Sequence, residues 1–135
     1  MTHPAYGALR PVTESASVLL CHNPGPLTLD GTNTWVLRAP GCDEMVIVDP
    51  GPDDAEHIAR LAALGRIPLV LISHRHGDHT DGIDALVDAT GATVRSVGSG
   101  FLRGLGGYLR DGEVIEIVTK EAVAVTEGDH LIFLR

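Results

Sequence analysis

The residues best suited to chemistry in this chain lie in one short run of histidines around a carboxylate. The run, from residue 74 to residue 79, has the form H-x-H-x-D-H and contains three of the seven histidines of the chain. Its candidate ligands are His74, His76, Asp78 and His79. Neutral imidazole and carboxylate are ligands that suit zinc and neighbouring divalent cations. The run therefore predicts a metal site.

The spacing within the run predicts two metal positions. Side chains two residues apart on an extended segment point the same way, so His74 and His76 can hold one cation. Gly77 lets the backbone turn, and the turn can direct Asp78 and His79 towards a second cation. Two cations about 3.5–4 Å apart share a bridging water in two-metal hydrolysis. We therefore expect Asp78 to be a metal ligand and also the catalytic residue that orients the metal-bound hydroxide.

Other nucleophiles in the chain are weaker candidates. Ser73 precedes the run without the G-x-S-x-G elbow of serine hydrolases. Cys21 is followed by His22, but neighbouring side chains on a strand point to opposite faces. An isolated histidine is most often a core or turn residue, so we assign no role to His57, which lies in a predicted helix. The chemistry that remains is metal-dependent hydrolysis, with zinc as the expected cofactor and other divalent cations as alternatives.

The elements that must position the run alternate between strands and helices. An apolar stretch directly before the run predicts a buried strand, and a β-α-β order places ligand sites at the carboxyl ends of strands. The helix before this strand can be capped by Asp53 or Asp54 and ended by Gly65. The predicted strands are Ser17–Cys21, Asn33–Arg38, Met45–Asp49, Pro68–Ser73, Ala92–Val97, Val114–Val118, Ala122–Thr126 and Leu131–Leu134, with a second helix at Ile83–Ala89.

The run and its flanks resemble the metallo-β-lactamase superfamily, in its glyoxalase-II-like branch. The matching segments are Ser73–Gly82, which contains the run, and the strand regions Asp30–Leu37 and Val46–Gly51. The resemblance covers residues 17–115. It departs from the family at Asp81, where members usually have glycine.

The resemblance implies a fold and a set of residue roles. The family fold is a four-layer αββα sandwich, and this chain would form its N-terminal half, an α/β unit with a mixed sheet and flanking helices. His74 and His76 match ligands of one zinc ion, and Asp78 and His79 match ligands of a second. Asp49 matches an aspartate that supports the metal loop from beneath. Asp-Pro-Gly is also a strong turn signal, and both interpretations of Asp49 can hold together.

The family places further ligands downstream of the run, and these lack clear counterparts here. Members have a histidine in a T-P-G-H-T segment, then a bridging aspartate and a final histidine. The corresponding segment here reads T-E-G-D-H, so Asp129 or His130 takes the histidine position, depending on the register. We therefore expect residues 1–135 to be a single, incomplete domain, and we favour a fragment over a truncated gene product or an obligate partner. Self-association would cover the sheet face that a half-sandwich exposes.

Two hypotheses for function follow from these patterns. The first is a di-zinc hydrolase that acts on a small-molecule thioester, an RNA phosphodiester or a related ester. The alternative is a truncated, catalytically inactive half-domain that binds metal weakly or binds a partner protein. Two tightly held zinc ions per chain would contradict the alternative, and fewer than one would contradict the first hypothesis.

Composition limits the other classes of protein. A hydrophobic content of 44% over 135 residues is typical of a globular domain. A formal net charge of −8 disfavours a surface built for nucleic-acid backbones. Between residues 91 and 110 the only charged residues are Arg95, Arg103 and Arg110. This arginine group either meets an anionic substrate or forms a solvated loop face, and general experience favours the loop face.

The cysteines and the apolar segments bear on the compartment. Two cysteines, Cys21 and Cys42, do not make a disulfide framework, which favours a reducing interior. No basic segment followed by an apolar run opens the chain, and no stretch approaches the length of a membrane span. We therefore expect a soluble, cytoplasmic protein with no membrane partner.

Overall fold

The residues that the structure describes form two β-sheets and three helices. The computed structural model describes residues 5–26, 28–98, 100–104, 107–117, 120–127 and 130–134. The elements are β1 (Arg10–Pro11), β2 (Ala16–Leu20), β3 (Asn33–Leu37), β4 (Glu44–Val48), α1 (Ala55–Ala62), β5 (Arg66–Ile72), α2 (Gly77–Thr80), α3 (Ile83–Thr90), β6 (Thr93–Ser96), β7 (Val114–Ile117), β8 (Lys120–Glu127) and β9 (His130–Leu134).

The larger sheet is mixed, as predicted. Its six strands lie side by side in chain order, from β1 to β6. The pairs from β1 to β4 are antiparallel, whereas β4 with β5 and β5 with β6 are parallel. The remaining strands form a three-stranded antiparallel sheet in the order β7-β8-β9. The parallel part of the sheet is the part that carries the histidine run at its carboxyl edge.

Two helices provide the crossovers that parallel strands require. α1 begins at the predicted cap, since Asp54 accepts hydrogen bonds of 3.0 and 3.1 Å from the backbone N–H groups of Glu56 and His57. α3 ends at Gly91, whose φ of 73° lies in the left-handed region that favours glycine. These local signals fix where each helix begins or ends and therefore where the neighbouring strands start.

The core lies on both faces of the parallel strands. Along β5, Val70 and Ile72 point to the face covered by α1 and α3, and Leu71 points to the other face. All three are at most 2% exposed, which explains why this strand reads as a continuous apolar run. On the second face Leu71 packs with the buried side chains of Leu109 and Ile115. The face that we expected to be uncovered is thus partly covered by the chain itself.

The predicted strands agree with the structure to within two residues at each described end, which is the usual uncertainty of element boundaries. Two short elements were not predicted. β1 has two residues and α2 has four, and neither length is enough to show a hydrophobic period.

Neither cysteine forms a disulfide. Cys21 is buried beside Asp54, and burial together with that carboxylate raises the pKa of its thiol to about 12, so it stays protonated. Among the described residues, the helices are all too short or too polar for a bilayer crossing.

Candidate metal centre

The histidine run lies at the carboxyl ends of two parallel strands. β5 ends at Ile72, and the chain then passes through Ser73 to His76, whose backbone is extended, and into α2. β4 ends at Val48, one residue before Asp49. Because β4 and β5 are parallel neighbours, Asp49 and the run meet at the same edge of the sheet.

Asp49 is a buried carboxylate that connects the end of β4 to the run. It is 5% exposed and has a φ of 61°, a left-handed conformation that aspartate tolerates better than most residues. Its Oδ1 accepts a hydrogen bond of 2.7 Å from the backbone N–H of Ser73. Its Oδ2 accepts from the Ser73 hydroxyl and, at 2.9 Å, from Nδ1 of His79. These contacts match the supporting role predicted for Asp49.

The Asp49 carboxylate determines which nitrogen of two imidazoles carries a proton. An ionised carboxylate only accepts, so the Ser73 hydroxyl and His79 Nδ1 both donate to it. Because the single proton of the Ser73 hydroxyl is donated to Asp49, Ser73 Oγ accepts from His74 Nδ1, 2.8 Å away. In its neutral form each imidazole therefore carries its proton on Nδ1 and a lone pair on Nε2, the nitrogen that can bind a cation.

Three imidazole rings and Asp78 come together beside this carboxylate. The ring centroids of His74 and His76 are 4.7 Å apart, and those of His74 and His79 are 4.2 Å apart. Asp78 Oδ2 lies 3.3 Å from His79 Nε2. The structure thus places the four residues predicted as ligands in one cluster, and ligation itself stays a prediction.

Among the described residues, the donor atoms that lie close enough to hold one divalent cation belong to Asp49 and to two of the four predicted ligands, and they do not include His76 or Asp78. Asp49, His74 and His79 each offer one ligand atom, and these atoms lie within 4.8 Å of one another. A cation could therefore use Asp49 directly. Because the Asp49 carboxylate already accepts the proton on His79 Nδ1, we assign Asp49 to orienting the histidines rather than to ligation.

Two histidines of the cluster have opposite pKa shifts. Burial lowers the pKa of His74, and the neighbouring His79 lowers it further. Burial also acts to lower the pKa of His79, but its hydrogen bond to Asp49 and the charges of Asp49 and Asp78 together raise the pKa above its ordinary value. The carboxylates thus favour positive charge at His79, and a cation that binds there competes with a proton.

Neighbouring hydroxyl groups hold the backbone of the run. Thr32, which is 3% exposed, donates a hydrogen bond of 2.9 Å from its hydroxyl to the carbonyl oxygen of Asp78. Thr32 is itself held by Asn23, which donates to its hydroxyl at 3.0 Å and accepts from its backbone N–H at 2.8 Å. On the other side of the run, the Thr80 hydroxyl donates to the carbonyl oxygen of His76 at 3.0 Å. The segment before β3 therefore helps to fix the carboxylate-bearing turn.

The departure from the family at Asp81 causes no backbone strain. Asp81 has φ −63° and ψ −23°, a right-handed helical conformation that any residue adopts. Gly82 is the position that requires glycine, since a Cβ there would lie 2.7 Å from the carbonyl oxygen of Pro52. Its backbone N–H donates to the carbonyl oxygen of Gly51 at 2.9 Å, so this close approach joins the Asp-Pro-Gly turn to the start of α3.

His57 is connected through Thr34 to Asp49, which holds the histidine run, and the sequence analysis did not predict this connection. Its ring is buried, with 1% exposure, and Nε2 lies 2.8 Å from the hydroxyl of Thr34. That hydroxyl donates to the carbonyl oxygen of Asp49 at 2.7 Å. The available signal was its position four residues before Leu61, on the apolar face of α1.

The arginine group is largely neutralised within the fold. Arg95 forms a two-pronged ion pair with Glu113, in which one of the two contacts measures 2.9 Å, and Arg103 pairs with Asp84 at 2.9 Å. The Arg95 guanidinium also lowers the pKa of Glu113. These contacts support a loop-face role for Arg95 and Arg103 rather than binding of an anionic substrate.

The downstream segment leaves one prediction open. His130 begins β9 in the second sheet, and Asp129 lies outside the described residues. Which of the two takes the place of the missing histidine stays a prediction.

A protein-family model matches most of the chain. Residues 27–133 match the family described as the metallo-beta-lactamase superfamily. This range contains Asp49 and the whole of the histidine run.

Three curated proteins are similar to parts of the chain. A beta-lactamase-like protein 2 homolog from Caenorhabditis elegans is 37% identical over 83 residues, which are 57% of this chain and 28% of that protein. An atrochrysone carboxyl ACP thioesterase from Cryptosporiopsis sp. is 31% identical over 125 residues, 86% of this chain and 38% of that protein. A hydroxyacylglutathione hydrolase from Chromohalobacter salexigens is 46% identical over 55 residues, 39% of this chain and 21% of that protein. The last match confirms the expected resemblance to the glyoxalase-II-like branch, and the chain spans well under half the length of each relative.

Solved structures confirm the fold. A beta-lactamase domain protein from Burkholderia ambifaria has a TM-score of 0.73 and 20% identity, covering 96% of this chain and 53% of that chain. Rm3 metallo-beta-lactamase has a TM-score of 0.64 and 18% identity, covering 92% of this chain and 52% of that chain. The described sheets and helices thus correspond to part of a metallo-β-lactamase αββα sandwich, as predicted.

Proposed function

Because the chain belongs to the metallo-beta-lactamase superfamily, we propose that the protein is a metal-dependent hydrolase whose metal ligands are His74, His76, Asp78 and His79. The observation that carries this proposal is the convergence of three imidazole rings and a carboxylate at the carboxyl ends of parallel strands. Packing of the core alone does not explain why these groups lie together at a sheet edge. Asp49 holds Nδ1 of His79 directly and Nδ1 of His74 through the Ser73 hydroxyl.

We propose two zinc positions, with other divalent cations as alternatives. His74 and His76 would hold one ion, and Asp78 and His79 the other. When bound, zinc lowers the pKa of a coordinated water towards about 7 and makes a hydrolytic nucleophile available near neutral pH. The side chains of the protein orient the metal ligands and the nucleophile. Asp49 and Ser73 hold the Nδ1 atoms of His79 and His74, which leaves Nε2 of each ring for a cation. Asp78 would accept the hydrogen bond that orients the nucleophile.

The proposed substrates are thioesters and related esters. Two of the similar proteins are named as a thioesterase and as a hydroxyacylglutathione hydrolase. The net charge of −8 makes RNA, the other substrate class expected from the family resemblance, the weaker candidate. Hydrolysis of a thioester releases a thiol, so the reaction can be followed directly with a thiol reagent.

The alternative hypothesis is a catalytically inactive half-domain with weak metal binding or a partner-binding role. The segment that supports it is T-E-G-D-H at residues 126–130, which lacks the family's T-P-G-H order. Under this hypothesis the function of the protein is to bind a partner. Self-association through the second sheet face would be one form of such binding.

Metal stoichiometry separates the two hypotheses. Zinc-loaded protein, freed of excess metal and measured by elemental analysis, should hold close to two equivalents and hydrolyse a thioester. The double variant His76→Ala with Asp78→Ala should lose the metal and the activity, whereas His22→Ala, an exposed histidine outside the run, should keep both. Fewer than one equivalent in the parent protein, or full activity in the double variant, would refute the hydrolase proposal.

A further inference from the structure

Three buried residues joined by hydrogen bonds connect α1 to the histidine run. His57 is 1% exposed, Thr34 is 0% exposed and Asp49 is 5% exposed. His57 Nε2 lies 2.8 Å from Thr34 Oγ1, which in turn lies 2.7 Å from the carbonyl oxygen of Asp49. These hydrogen bonds lead from α1 through β3 to Asp49, the residue that holds the histidines of the run.

The position of each proton in these hydrogen bonds follows from the chemistry of the donor and acceptor groups. A backbone carbonyl only accepts, so the single proton of the Thr34 hydroxyl is donated to Asp49. The hydroxyl oxygen then accepts from His57, and the proton of the neutral imidazole lies on Nε2. Nδ1 of His57 is the unprotonated nitrogen, and within the described part of the chain it is the buried side-chain polar atom that has no hydrogen-bond partner.

That orphaned nitrogen suggests what His57 is for. A histidine kept only to fill space could be replaced by an apolar residue, which would remove a buried polar atom without a partner. The hydrogen bond that His57 Nε2 donates to Thr34 offsets the cost of burying the unpaired Nδ1. His57 also packs against the turn itself, since a Cβ at Gly51 would lie 3.2 Å from the ring carbon Cδ2.

Asp49 is the residue that needs such support. Its φ of 61° is a left-handed conformation, which persists only where the surroundings fix the backbone. Its N–H donates to the carbonyl oxygen of Leu71 at 2.9 Å, and its carbonyl oxygen accepts from Thr34. With both backbone groups held, the carboxylate is aimed at Ser73 and His79.

We propose that His57 is a positioning residue of the metal centre, which acts through Thr34 on the backbone of Asp49 and so presets the Nδ1-protonated form of His79 before a cation binds. The inference rests on the proposed function only in its affinity readout. Its other readout is made on metal-free protein and does not need a bound ion or an activity.

Two matched pairs of variants test the proposal. Thr34→Val removes the hydroxyl at nearly constant volume, and Thr34→Ser restores it. His57→Leu removes the donor, and His57→Gln places an amide N–H near the position of Nε2. The valine and leucine variants should weaken zinc affinity about 3- to 10-fold, below the usual range for removing a direct partner of a ligand, measured by competition with a chelating dye, and the serine and glutamine variants should recover most of that loss.

The structural readout is the protonation of the histidine rings in metal-free protein. Long-range nitrogen–proton NMR spectra should show His79 protonated on Nδ1 in the parent, Thr34→Ser and His57→Gln proteins, and a mixture of tautomers in Thr34→Val and His57→Leu. A purely structural role would lower stability without moving this tautomer. If His57→Leu does not fold, the threonine pair decides the matter alone.

Two results would overturn the proposal. One is a folded Thr34→Val protein with the parent's His79 tautomer in the metal-free state. The other is a serine or glutamine variant as impaired as its apolar partner in the tautomer readout. A parent protein that binds no zinc would refute the proposed function, but the tautomer comparison would still test the role of His57.

Discussion

Oδ2 of Asp49 and Nδ1 of His79 are joined by a 2.9 Å hydrogen bond that connects the end of β4 to α2. The bond fixes the ring of His79, whose Nε2 lies 3.3 Å from Oδ2 of Asp78. The same carboxylate reaches His74 through the hydroxyl of Ser73. One buried carboxylate thus sets the orientation of two predicted ligands, which makes Asp49 the residue whose change should have the widest effect.

Asp49→Asn should weaken zinc binding 10- to 100-fold, because the neutral amide oxygen accepts less strongly and an NH2 group in the place of Oδ2 cannot accept from either the Ser73 hydroxyl or His79. The measurement is zinc affinity by dye competition, with circular dichroism to confirm folding. Asp53→Asn is the matched control, since that carboxylate is exposed in the same turn and should leave the affinity unchanged. Equal affinity in Asp49→Asn and parent protein would mean that Asp49 does not orient the ligands.

Ser73→Ala should weaken zinc binding less than Asp49→Asn does. It removes the hydroxyl between Asp49 and His74, while the backbone N–H of residue 73 still donates to Asp49 and His79 keeps its direct bond. We expect a loss of about 3- to 10-fold, below the usual range for removing a direct partner of a ligand. Ser73→Thr keeps a hydroxyl and should recover the affinity, and failure to do so would point to lost packing instead of a lost hydrogen bond.

Local signals in the sequence predicted the elements and the cluster. The cap at Asp54, the apolar run of β5 and the H-x-H-x-D-H spacing each act over a few residues, so they can be recognised without knowledge of the fold. The position of Asp49 beneath the run was implied by the family resemblance and not by a local signal, and the parallel pairing of β4 with β5 places it there.

Contacts between distant segments could not be predicted in this way. The bond from His57 to Thr34 joins residues 23 positions apart, and the ion pair between Arg95 and Glu113 joins residues 18 apart. Nothing in a single sequence assigns Glu113 to Arg95, because charged residues far apart in sequence pair according to tertiary packing. The arginine group could therefore not be distinguished from a substrate-binding surface before the loop positions were known.

The contribution of His57 to the stability of the protein should fall as the pH is lowered from about 6.5 to about 4. Burial lowers the pKa of His57 from 6.5 to about 4, so between these values the unfolded chain binds a proton that the folded protein does not. Each pH unit in this window costs about 1.4 kcal/mol, or about 3 kcal/mol across it. Denaturant unfolding at several pH values measures the slope.

His57→Gln is the control for this pH dependence, since the amide does not titrate. The raised pKa of His79 acts in the opposite sense, because it stabilises the fold at low pH and this contribution is lost as the pH rises. Only the difference between the parent and His57→Gln slopes therefore reports on His57. Parallel slopes in the two proteins would show that His57 is not buried as a neutral ring.

Gly82→Ala should destabilise the fold and disturb the metal loop together. The new Cβ would lie 2.7 Å from the carbonyl oxygen of Pro52 and 2.9 Å from Cδ1 of Ile58, so the Asp-Pro-Gly turn must move away from α3. We expect a loss of about 1–3 kcal/mol in the free energy of unfolding, the usual cost of overpacking.

The matched control for Gly82→Ala is Gly25→Ala. Gly25 has no positive φ, and a Cβ there would meet only the hydroxyl of Thr28, at the ordinary contact distance of 3.4 Å. The free energy of unfolding of the control should therefore lie within about 0.5 kcal/mol of the parent's, the usual effect of a surface substitution. Because Gly82 N–H also donates to the carbonyl oxygen of Gly51, two residues after Asp49, a displaced turn should lower zinc affinity in Gly82→Ala but not in Gly25→Ala. Unchanged stability and affinity in Gly82→Ala would show that the turn and α3 are not held at the close distance that the structure gives.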